Sequence, residues 1–422
     1  MRTRFLTSLF LFLALGGGAL ASGASVKDLP PAVYQQLAKL TGSDSGTYSE
    51  FGYSVAISSD GNTIVVGAYS IYSSAVPDAA YVFVKPSTGW ADATETAELL
   101  PSDGEPGNPF GISVAISNNT IFVGSRISTL VTDYKYTDGA IYAFAEPAGG
   151  WVSGTEAAKL TAGANCACVI GNYIAAGGTS VVTSALGQST GQPVSLLVWN
   201  KPQAGWAKGA PAATLTTSDS NTGWDSVAMS STGNTIAAGN GSLVYVYAKP
   251  SGGWKGTGVK QTAQLLTSDG NVYDYLGASV ALTDTTVAAG APGRNAYQGA
   301  IYVYVKPSGG WVNAEENAQL SAADGPYLGE AVGIVGNTVV AGSPSANVNG
   351  VYEAGALFLY NKPAGGWKTT SEYATELSAS DATEGMQLGS SVAMGGTTIV
   401  SGAPFDTIGS NTWQGAAYVF GQ

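Results

Sequence analysis

Histidine is absent from the 422-residue chain, and this absence excludes several kinds of chemistry at once. Ser-His-Asp and Cys-His catalysis both need an imidazole, and so does any metal site built on histidine. We therefore expect no catalytic residue of these classes, no metal and no cofactor. Arginine is also scarce, because only Arg126 and Arg294 follow the N-terminal segment. This scarcity disfavours an enzyme that clamps a substrate carboxylate with several arginines, as sialidases do.

Positive charge is in short supply throughout the chain. Only 11% of the residues are charged, and without Arg2 and Arg4, which precede a leader-like stretch, 15 basic residues face 29 acidic ones. The resulting net charge of −14 disfavours nucleic acid and anionic membranes, which are bound through clusters of lysine and arginine. We therefore expect no nucleic-acid partner.

The chain contains two cysteines, Cys166 and Cys168. A disulfide has to be considered in an exported protein, but neighbours at i and i+2 on one strand form a strained bridge. In the repeat described below, the two cysteines take the positions of Ser113 and Ala115, which are small and face inward. We therefore expect two small buried side chains in preference to a disulfide.

Long apolar runs are missing except at residues 5–15. Arg2 and Arg4 precede this run and Ala19-Leu20-Ala21 follows it, which is the pattern of a secretory signal peptide cleaved after Ala21. The run is too short to span a bilayer. We expect a signal peptide over 1–21 and a lead-in segment over 22–37. The protein is expected to be a monomer, secreted or held in the cell envelope, with no membrane insertion after signal cleavage.

Glycine is abundant, at 58 of 422 residues, and much of it belongs to a repeat. A phrase of the form Pro-x-x-Gly-Trp occurs six times and ends at Trp90, Trp151, Trp206, Trp254, Trp311 and Trp367. Successive tryptophans are 61, 55, 48, 57 and 56 residues apart. One unit of this size cannot bury its own faces, so the repeat predicts a closed ring of small sheets.

Within one unit, short alternating segments predict four strands in meander order, named A to D. Strand A begins at Phe51-Gly52, Phe110-Gly111, Ala164-Asn165, Trp224-Asp225, Leu276-Gly277, Leu328-Gly329 and Leu388-Gly389. The signature of strand D begins at Ala38, Ala97, Ala158, Ala213, Ala263, Ala318 and Ala374. Because a strand D precedes the first strand A and the chain ends on a strand C, the N-terminal strand must complete the last blade. We predict an all-β fold, a seven-bladed β-propeller of four-stranded antiparallel blades over 38–422.

The strand pattern resembles the FG-GAP repeat. Phe51-Gly52 carries the first half of that motif, and Gly290-Ala291-Pro292 and Gly402-Ala403-Pro404 match its second half. The resemblance implies the seven-bladed propeller seen at the head of integrin α subunits, and a role in extracellular adhesion or ligand binding. Many FG-GAP blades carry a D-x-D-x-D-G calcium loop between strands A and B, whereas loops such as 58–62 here hold at most one acidic residue. The calcium sites of the family are therefore not carried over, and hairpin turns are expected instead.

The alternating direction of the strands separates the connections into two sets. The A–B and C–D turns fall on one face of the ring, the turn face, and the D–A and B–C loops fall on the other, the loop face. Aromatic side chains that do not repeat lie in the loop-face segments beside carboxylates, a combination typical of glycan or peptide recognition. The candidate ligand-binding residues are Tyr134, Tyr136, Tyr297, Tyr352, Trp413, Asp133, Asp138 and Asp406, with Tyr69, Tyr72, Phe405 and Glu353 in the same loops.

Two repeated features are assigned to structure instead of function. Aspartates at one position of the D–A loops are expected to cap their own backbone turns, at Asp44, Asp103, Asp219, Asp269, Asp324 and Asp381. The six turn tryptophans are expected to pack between blades with the indole N–H on a turn carbonyl; sugar platforms are the alternative.

These expectations favour an exported, non-enzymatic propeller that binds an extracellular glycan or protein through its loop face. Two alternatives stay open. One is a polysaccharide hydrolase or lyase that uses two loop carboxylates from different blades. The other is a structural component of the cell envelope.

Overall fold

The computed structural model describes residues 33–69, 78–104, 109–126, 139–163, 166, 168–187, 195–219 and 223–422. The signal peptide expected over 1–21, and the lead-in segment as far as residue 32, lie outside these residues. Residues Tyr34–Gln422 form one compact unit. In the described part of the chain, no helix is long and apolar enough to cross a membrane.

This unit is a ring of seven sheets, each with a core of four antiparallel strands in the order A to D. The first blade contains β2 (Phe51–Ile57), β3 (Thr63–Ala68), β4 (Ala79–Val84) and β5 (Ala97–Leu100). The second contains β6 (Phe110–Ser117), β7 (Thr120–Ser125), β8 (Ala140–Ala145) and β10 (Ala158–Leu160). The third contains β12 (Ile174–Gly177), β13 (Ser180–Gly187), β14 (Ser195–Asn200) and β15 (Ala213–Thr216). Short strands β9 (Gly154–Thr155) and β11 (Cys168–Val169) add to the first and third sheets.

The remaining strands complete four more blades. They are β16 (Ser226–Met229), β17 (Thr235–Gly239), β18 (Val244–Ala248) and β20 (Ala263–Leu265); β21 (Ser279–Leu282), β22 (Thr286–Ala291), β23 (Ala300–Val305) and β24 (Ala318–Leu320); β25 (Val332–Val335), β26 (Thr338–Ser343), β27 (Ala356–Asn361) and β28 (Thr375–Leu377); and β29 (Ser391–Gly395), β30 (Thr398–Ala403), β31 (Ala416–Gly421) and β1 (Gln35–Leu40). β19 (Gly256–Lys260) runs parallel to β15. Among the described residues, helix is limited to a 3-10 turn, Val272–Asp274, and one turn, α1 (Arg294–Tyr297). The predicted all-β, seven-bladed architecture is confirmed.

The middle strands of each blade are buried on both faces because neighbouring blades cover both sides of the sheet. In the fifth blade all six residues of β22 are buried, and so are five of the six residues of β23. These strands therefore have nearly continuous runs of valine, isoleucine, alanine and tyrosine, as expected of strands covered on both faces. Each hydrophobic cluster joins side chains of two adjacent blades.

The N-terminal strand closes the ring, as the sequence predicted. β1 pairs antiparallel with β31, so the last blade is built from both ends of the chain. Lys39 on β1 fixes this pairing, because its Nζ lies 2.6 Å from Asp381 Oδ2 and 2.8 Å from Asp406 Oδ2. Burial raises the pKa of Asp381, but the Lys39 ammonium and the hydroxyl of Tyr418 outweigh this effect and lower the pKa overall.

A pair of glycines explains the close approach of adjacent blades. Gly402 ends strand B of the last blade, and a Cβ at this position would overlap the carbonyl of Gly52, which begins strand A of the first blade. Gly52 itself has φ +95°, a conformation that favours glycine. Ser391 Oγ donates to the same Gly52 carbonyl at 2.8 Å. The two halves of the repeated motif thus meet at the junction between blades.

The third blade departs from the register expected from the sequence. Ser113 Oγ donates to the Gly171 carbonyl at 2.7 Å, as Ser54 Oγ does to Gly111. Ile170-Gly171 therefore begins this strand A, and the expected start at Ala164-Asn165, which lies outside the described residues, is wrong. Tyr173 occupies the position of Ser113. The Ser-to-Tyr change and the missing aromatic residue disguised the motif.

The two cysteines lie in the D–A connection that precedes this strand. Cys166 and Cys168 form a disulfide with their Cα atoms 5.1 Å apart. The expectation of two cysteines without a disulfide is therefore wrong, whereas the expected burial holds for Cys168, which is 5% exposed.

Candidate ligand-binding face

The central channel of the ring opens on the loop face into a cavity of about 500 Å³, which we call the axial funnel. All seven blades contribute to it through the first residues of strand A. The lining includes the residue that follows the strand-A glycine position in every blade: Tyr53, Ile112, Asn172, Asp225, Ala278, Glu330 and Ser390. This position carries a different residue in each copy, whereas its neighbours repeat.

The next residue along strand A supplies a constant framework beneath this variable ring. It is serine in five blades, and each hydroxyl donates to the carbonyl of the first strand-A glycine of the next blade. These hydroxyls are therefore already used in holding the blades together. The chemistry of the funnel must come from the variable ring and from loop residues above it.

Glu50 is the most buried acid of the funnel, with 2% of its surface exposed. Its Oε1 has no hydrogen-bond partner. Burial raises the pKa of Glu50 to about 7, and the nearby charge of Asp78 adds to the effect. Partial desolvation at the channel wall also raises the pKa of Asp225 and of Glu330, although both residues keep exposed surface toward the cavity. The funnel therefore holds carboxyl groups that take up protons more readily than ordinary ones.

Arg126 enters the funnel directly after strand β7. Its buried Nε has no hydrogen-bond partner. Its positive charge lowers the pKa of Tyr53, Tyr69 and Tyr173, although burial raises the pKa of each tyrosine more strongly. Tyr53 and Tyr69 stack edge to face with ring centres 5.3 Å apart. One guanidinium and three phenols thus form a polar aromatic wall.

Aromatic side chains also gather in the D–A and B–C loops of the loop face. Tyr297 of a B–C loop and Tyr327 of the next D–A loop pack with ring centres 5.2 Å apart, and they are 49% and 38% exposed. Tyr48 and Phe405 contact Trp413 at 5.5 and 5.4 Å between ring centres. Tyr352, in the B–C loop of the sixth blade, is 57% exposed. We call Tyr352 and these two groups together the aromatic rim.

The backbone holds the rim in a sparsely populated conformation. Of the twelve described residues other than glycine with positive φ, eleven lie in D–A or B–C loops. At one junction the Tyr327 N–H donates to the Tyr297 carbonyl at 2.7 Å, and at another the Glu50 N–H donates to the Trp413 carbonyl at 3.1 Å. Each such residue costs about 1–3 kcal/mol, and such residues concentrate at functional sites.

The structure places the predicted site residues in different environments. Tyr297, Tyr352 and Trp413 lie exposed on the loop face. Asp406 is fully buried and accepts hydrogen bonds from Thr383 Oγ1 and Tyr418 OH besides pairing with Lys39. The expectation that Asp406 faces a ligand is corrected, since its carboxylate is occupied in closing the ring. Tyr72, Asp133, Tyr134, Tyr136 and Asp138 lie outside the described residues.

The repeated aspartates of the D–A loops mainly bind a neighbour in the sheet. Asp103 accepts from the hydroxyl of Tyr142 on strand C at 2.9 Å, and Asp219 accepts from Tyr245 at 2.9 Å. Asp103 also accepts from its own backbone, as the sequence predicted. The third blade has Leu197 in place of the tyrosine and no aspartate in its D–A loop. In the sixth blade Phe358 stands in the tyrosine position, and Asp324 accepts from the hydroxyl of Tyr373 at 3.1 Å instead. The aspartates therefore act as structural acceptors for a tyrosine hydroxyl.

The six turn tryptophans lie away from the loop face and in the core. Five are buried, and Trp206 is half-buried. The Trp254 Nε1 donates to the Gly233 carbonyl at 2.8 Å as expected, whereas the indole nitrogens of Trp90, Trp206 and Trp311 are buried without a partner. Their burial makes them unsuitable as sugar platforms.

The opposite mouth of the channel, on the turn face, is lined by A–B hairpins. In the first hairpin Asp60 accepts from the backbone of Asn62 at 3.1 Å, and Gly61 N–H donates to the Ser58 carbonyl at 2.8 Å. These carboxylate contacts close the turn itself.

Sequence reasoning missed the residues of the funnel, namely Glu50, Tyr53, Arg126, Tyr173, Asp225 and Glu330. One signal was present in the repeat, because the residue after the strand-A glycine varies from copy to copy while the serine after it recurs. When a position next to the axis of a regular ring carries a different residue in each blade, blade packing does not determine which residue stands there. Such a position is a candidate for ligand contact.

Comparison with known proteins agrees with the geometry. Residues 34–83, 93–144, 259–304 and 373–420 match the family model described as the FG-GAP repeat. A search of the curated proteins finds no match. The glycine contacts between blades give this motif its physical basis. The chain therefore carries FG-GAP repeats on a seven-bladed β-propeller, as the resemblance in its sequence indicated.

Proposed function

We propose that this protein is an exported, non-enzymatic propeller that binds an extracellular glycan through its aromatic rim. The FG-GAP propeller supports a binding or adhesion domain in general, and the finer assignment rests on the rim. The observation that carries it is the stacked, exposed pair Tyr297 and Tyr327, held by left-handed backbone on the loop face.

Tyrosine and tryptophan present flat apolar surfaces with a polar tip, and they lose little conformational entropy on binding. Sugar rings offer apolar faces and hydroxyls that fit such surfaces. The rim aromatics come from the fifth, sixth and seventh blades and from the loop into the first, so a chain of several sugars would contact more than one group. The N-terminal signal pattern supports an extracellular ligand.

Catalysis by a carboxylate pair receives less support. The charge that acts on Glu50 belongs to Asp78 on the same blade, and burial alone raises the pKa of Asp225 and Glu330. A hydrolase would need acids from different blades that act on each other across a cleft.

A glycan array probed with the purified protein tests the proposal. We expect binding to a subset of glycans, with a loss of at least tenfold in affinity for Y327A and for W413A, since a well-packed aromatic contributes more than about 1.4 kcal/mol. V312A is the control, because Val312 is exposed in a C–D connection on the turn face. Turnover of a polysaccharide, or binding of a surface protein with no glycan bound, contradicts the proposal.

A further inference from the structure

We propose that the axial funnel is a binding site for a carboxylate-bearing ligand of monosaccharide size, such as a uronic acid, held by Arg126. This site lies inside the ring, apart from the aromatic rim, and the inference stands whether or not the rim binds a glycan. Its volume of about 500 Å³ is within the range of small-molecule sites.

The first argument is the unsatisfied state of Arg126. The other described arginine, Arg294, places its guanidinium 2.6 Å from Asp269 and 3.1 Å from Asp274. In the described part of the chain Arg126 makes no ion pair, and its buried Nε has no acceptor. A guanidinium out of water binds a carboxylate through two parallel hydrogen bonds. A ligand carboxylate would supply the acceptor that the described residues do not offer to this nitrogen.

The second argument is Glu50, which is nine-tenths buried and lines the same funnel with an unpartnered oxygen. The charges of Glu50 and Arg126 both act on the hydroxyls of Tyr53 and Tyr69. The two groups therefore lie near the same tyrosine pair. A protonated Glu50 would donate a hydrogen bond to a ligand carboxylate, whereas an ionised Glu50 would repel it.

The ring hydroxyls of a sugar acid also find partners in this funnel. The phenols of Tyr53, Tyr69 and Tyr173 and the amide of Asn172 line the cavity. Both donors and acceptors are therefore available beside the guanidinium. A hydroxylated carboxylate fits this set better than a simple fatty or aromatic acid.

The surrounding charges set the pH dependence. Asp78, directly before strand C of the first blade, acts on Glu50, which lies in the D–A loop directly before strand A. Tyr53 lies on that strand A, Tyr69 directly follows strand B, and Arg126 comes from the second blade. Asp225 and Glu330 add negative charge from the opposite blades. Acidification protonates Glu50, whose pKa burial raises to about 7, while a uronate remains ionised, so the affinity should rise as the pH falls from 8 to 5.5.

Calorimetric titration of the purified protein with D-glucuronate tests the inference, with D-glucose as the neutral control. We expect glucuronate to bind at pH 5.5 and at least tenfold more weakly at pH 8, and glucose to bind at neither pH. R126Q should lose at least tenfold in affinity at pH 5.5. E50Q, which mimics the protonated acid, should bind at pH 8 more tightly than the wild type. K255Q removes an exposed lysine in a C–D connection and should bind like the wild type.

Several outcomes overturn the inference. These are equal binding of glucose and glucuronate, no glucuronate binding at pH 5.5, or full affinity in an R126Q variant whose circular dichroism matches the wild type. A uronate oligomer compared with the monosaccharide shows whether the carboxylate comes from a free sugar or a chain end. Y327A should bind glucuronate normally, so failure of the rim and failure of the funnel remain separate results.

Discussion

Replacing Glu50 with glutamine should change how the stability of the propeller depends on pH. In the folded protein burial raises the pKa of Glu50 from the ordinary 4.5 to about 7. Between these values the folded state binds more protons than the unfolded chain, so the stability falls as the pH rises. The contribution of the protonated acid is fully present below about pH 4.5 and is lost above about pH 7. A difference of about 2.5 pH units at about 1.4 kcal/mol each gives about 3.5 kcal/mol.

Urea denaturation of the wild type and E50Q at pH 5, 6, 7 and 8 measures this difference. Because the amide stays neutral, E50Q should gain on the wild type as the pH rises, and the gap should widen by about 2.5 kcal/mol between pH 5 and pH 8. E315Q removes an exposed carboxylate from a C–D connection and should leave the gap unchanged across the series. Parallel pH profiles for E50Q and the wild type would show that Glu50 is not desolvated in the folded state.

Other substitutions test the framework of the ring, each by the free energy of unfolding in urea. G402A should destabilise the protein by about 1–3 kcal/mol or more, because the new Cβ overlaps the Gly52 carbonyl. G149A, in an open turn, is the control and should change the stability little. Equal effects of the two substitutions would argue against the close contact between blades. K39Q should lower the free energy of unfolding by about 3–5 kcal/mol, because it leaves the Asp406 carboxylate buried without its cationic partner. K159Q is the control and should lower it by under about 1 kcal/mol, because its partner Asp103 is half-exposed. A similar loss for both variants would refute the role of the buried ion pair. Y245F should cost about 1–3 kcal/mol through loss of the bond to Asp219, and the exposed Y275F should be neutral; a neutral Y245F would show that the repeated Tyr–Asp pair does not stabilise the blade.

Much of the framework was predictable because local patterns specify it. The alternation within strands and the spaced turn tryptophans gave the blades, and the early strand D gave the closure. The start of the third blade was missed because Ile170-Gly171 has neither the aromatic residue nor the following serine. Its glycine is recognised only by its φ of +85° and its contact with Ser113.

The candidate site was harder to predict because its members come from different blades. Arg126 stood out only as a rarity, and its lack of an acceptor depends on packing that no local pattern encodes. Asp406 looked like a loop carboxylate until Lys39, from the opposite end of the chain, was seen beside it. Long-range pairing decides whether such a polar residue is a structural partner or a free one.

Because β1 pairs with β31, losing either strand should damage the same blade. Loss of residues 35–40 or of residues 416–421 would remove a partner from the same blade and leave the other strand with unpaired backbone groups. Such an edge is a template for pairing with another molecule. The last blade also cannot form until residues 416–421 have been made, so a nascent chain that lacks them exposes the unpaired edges of β1 and β30 to aggregation.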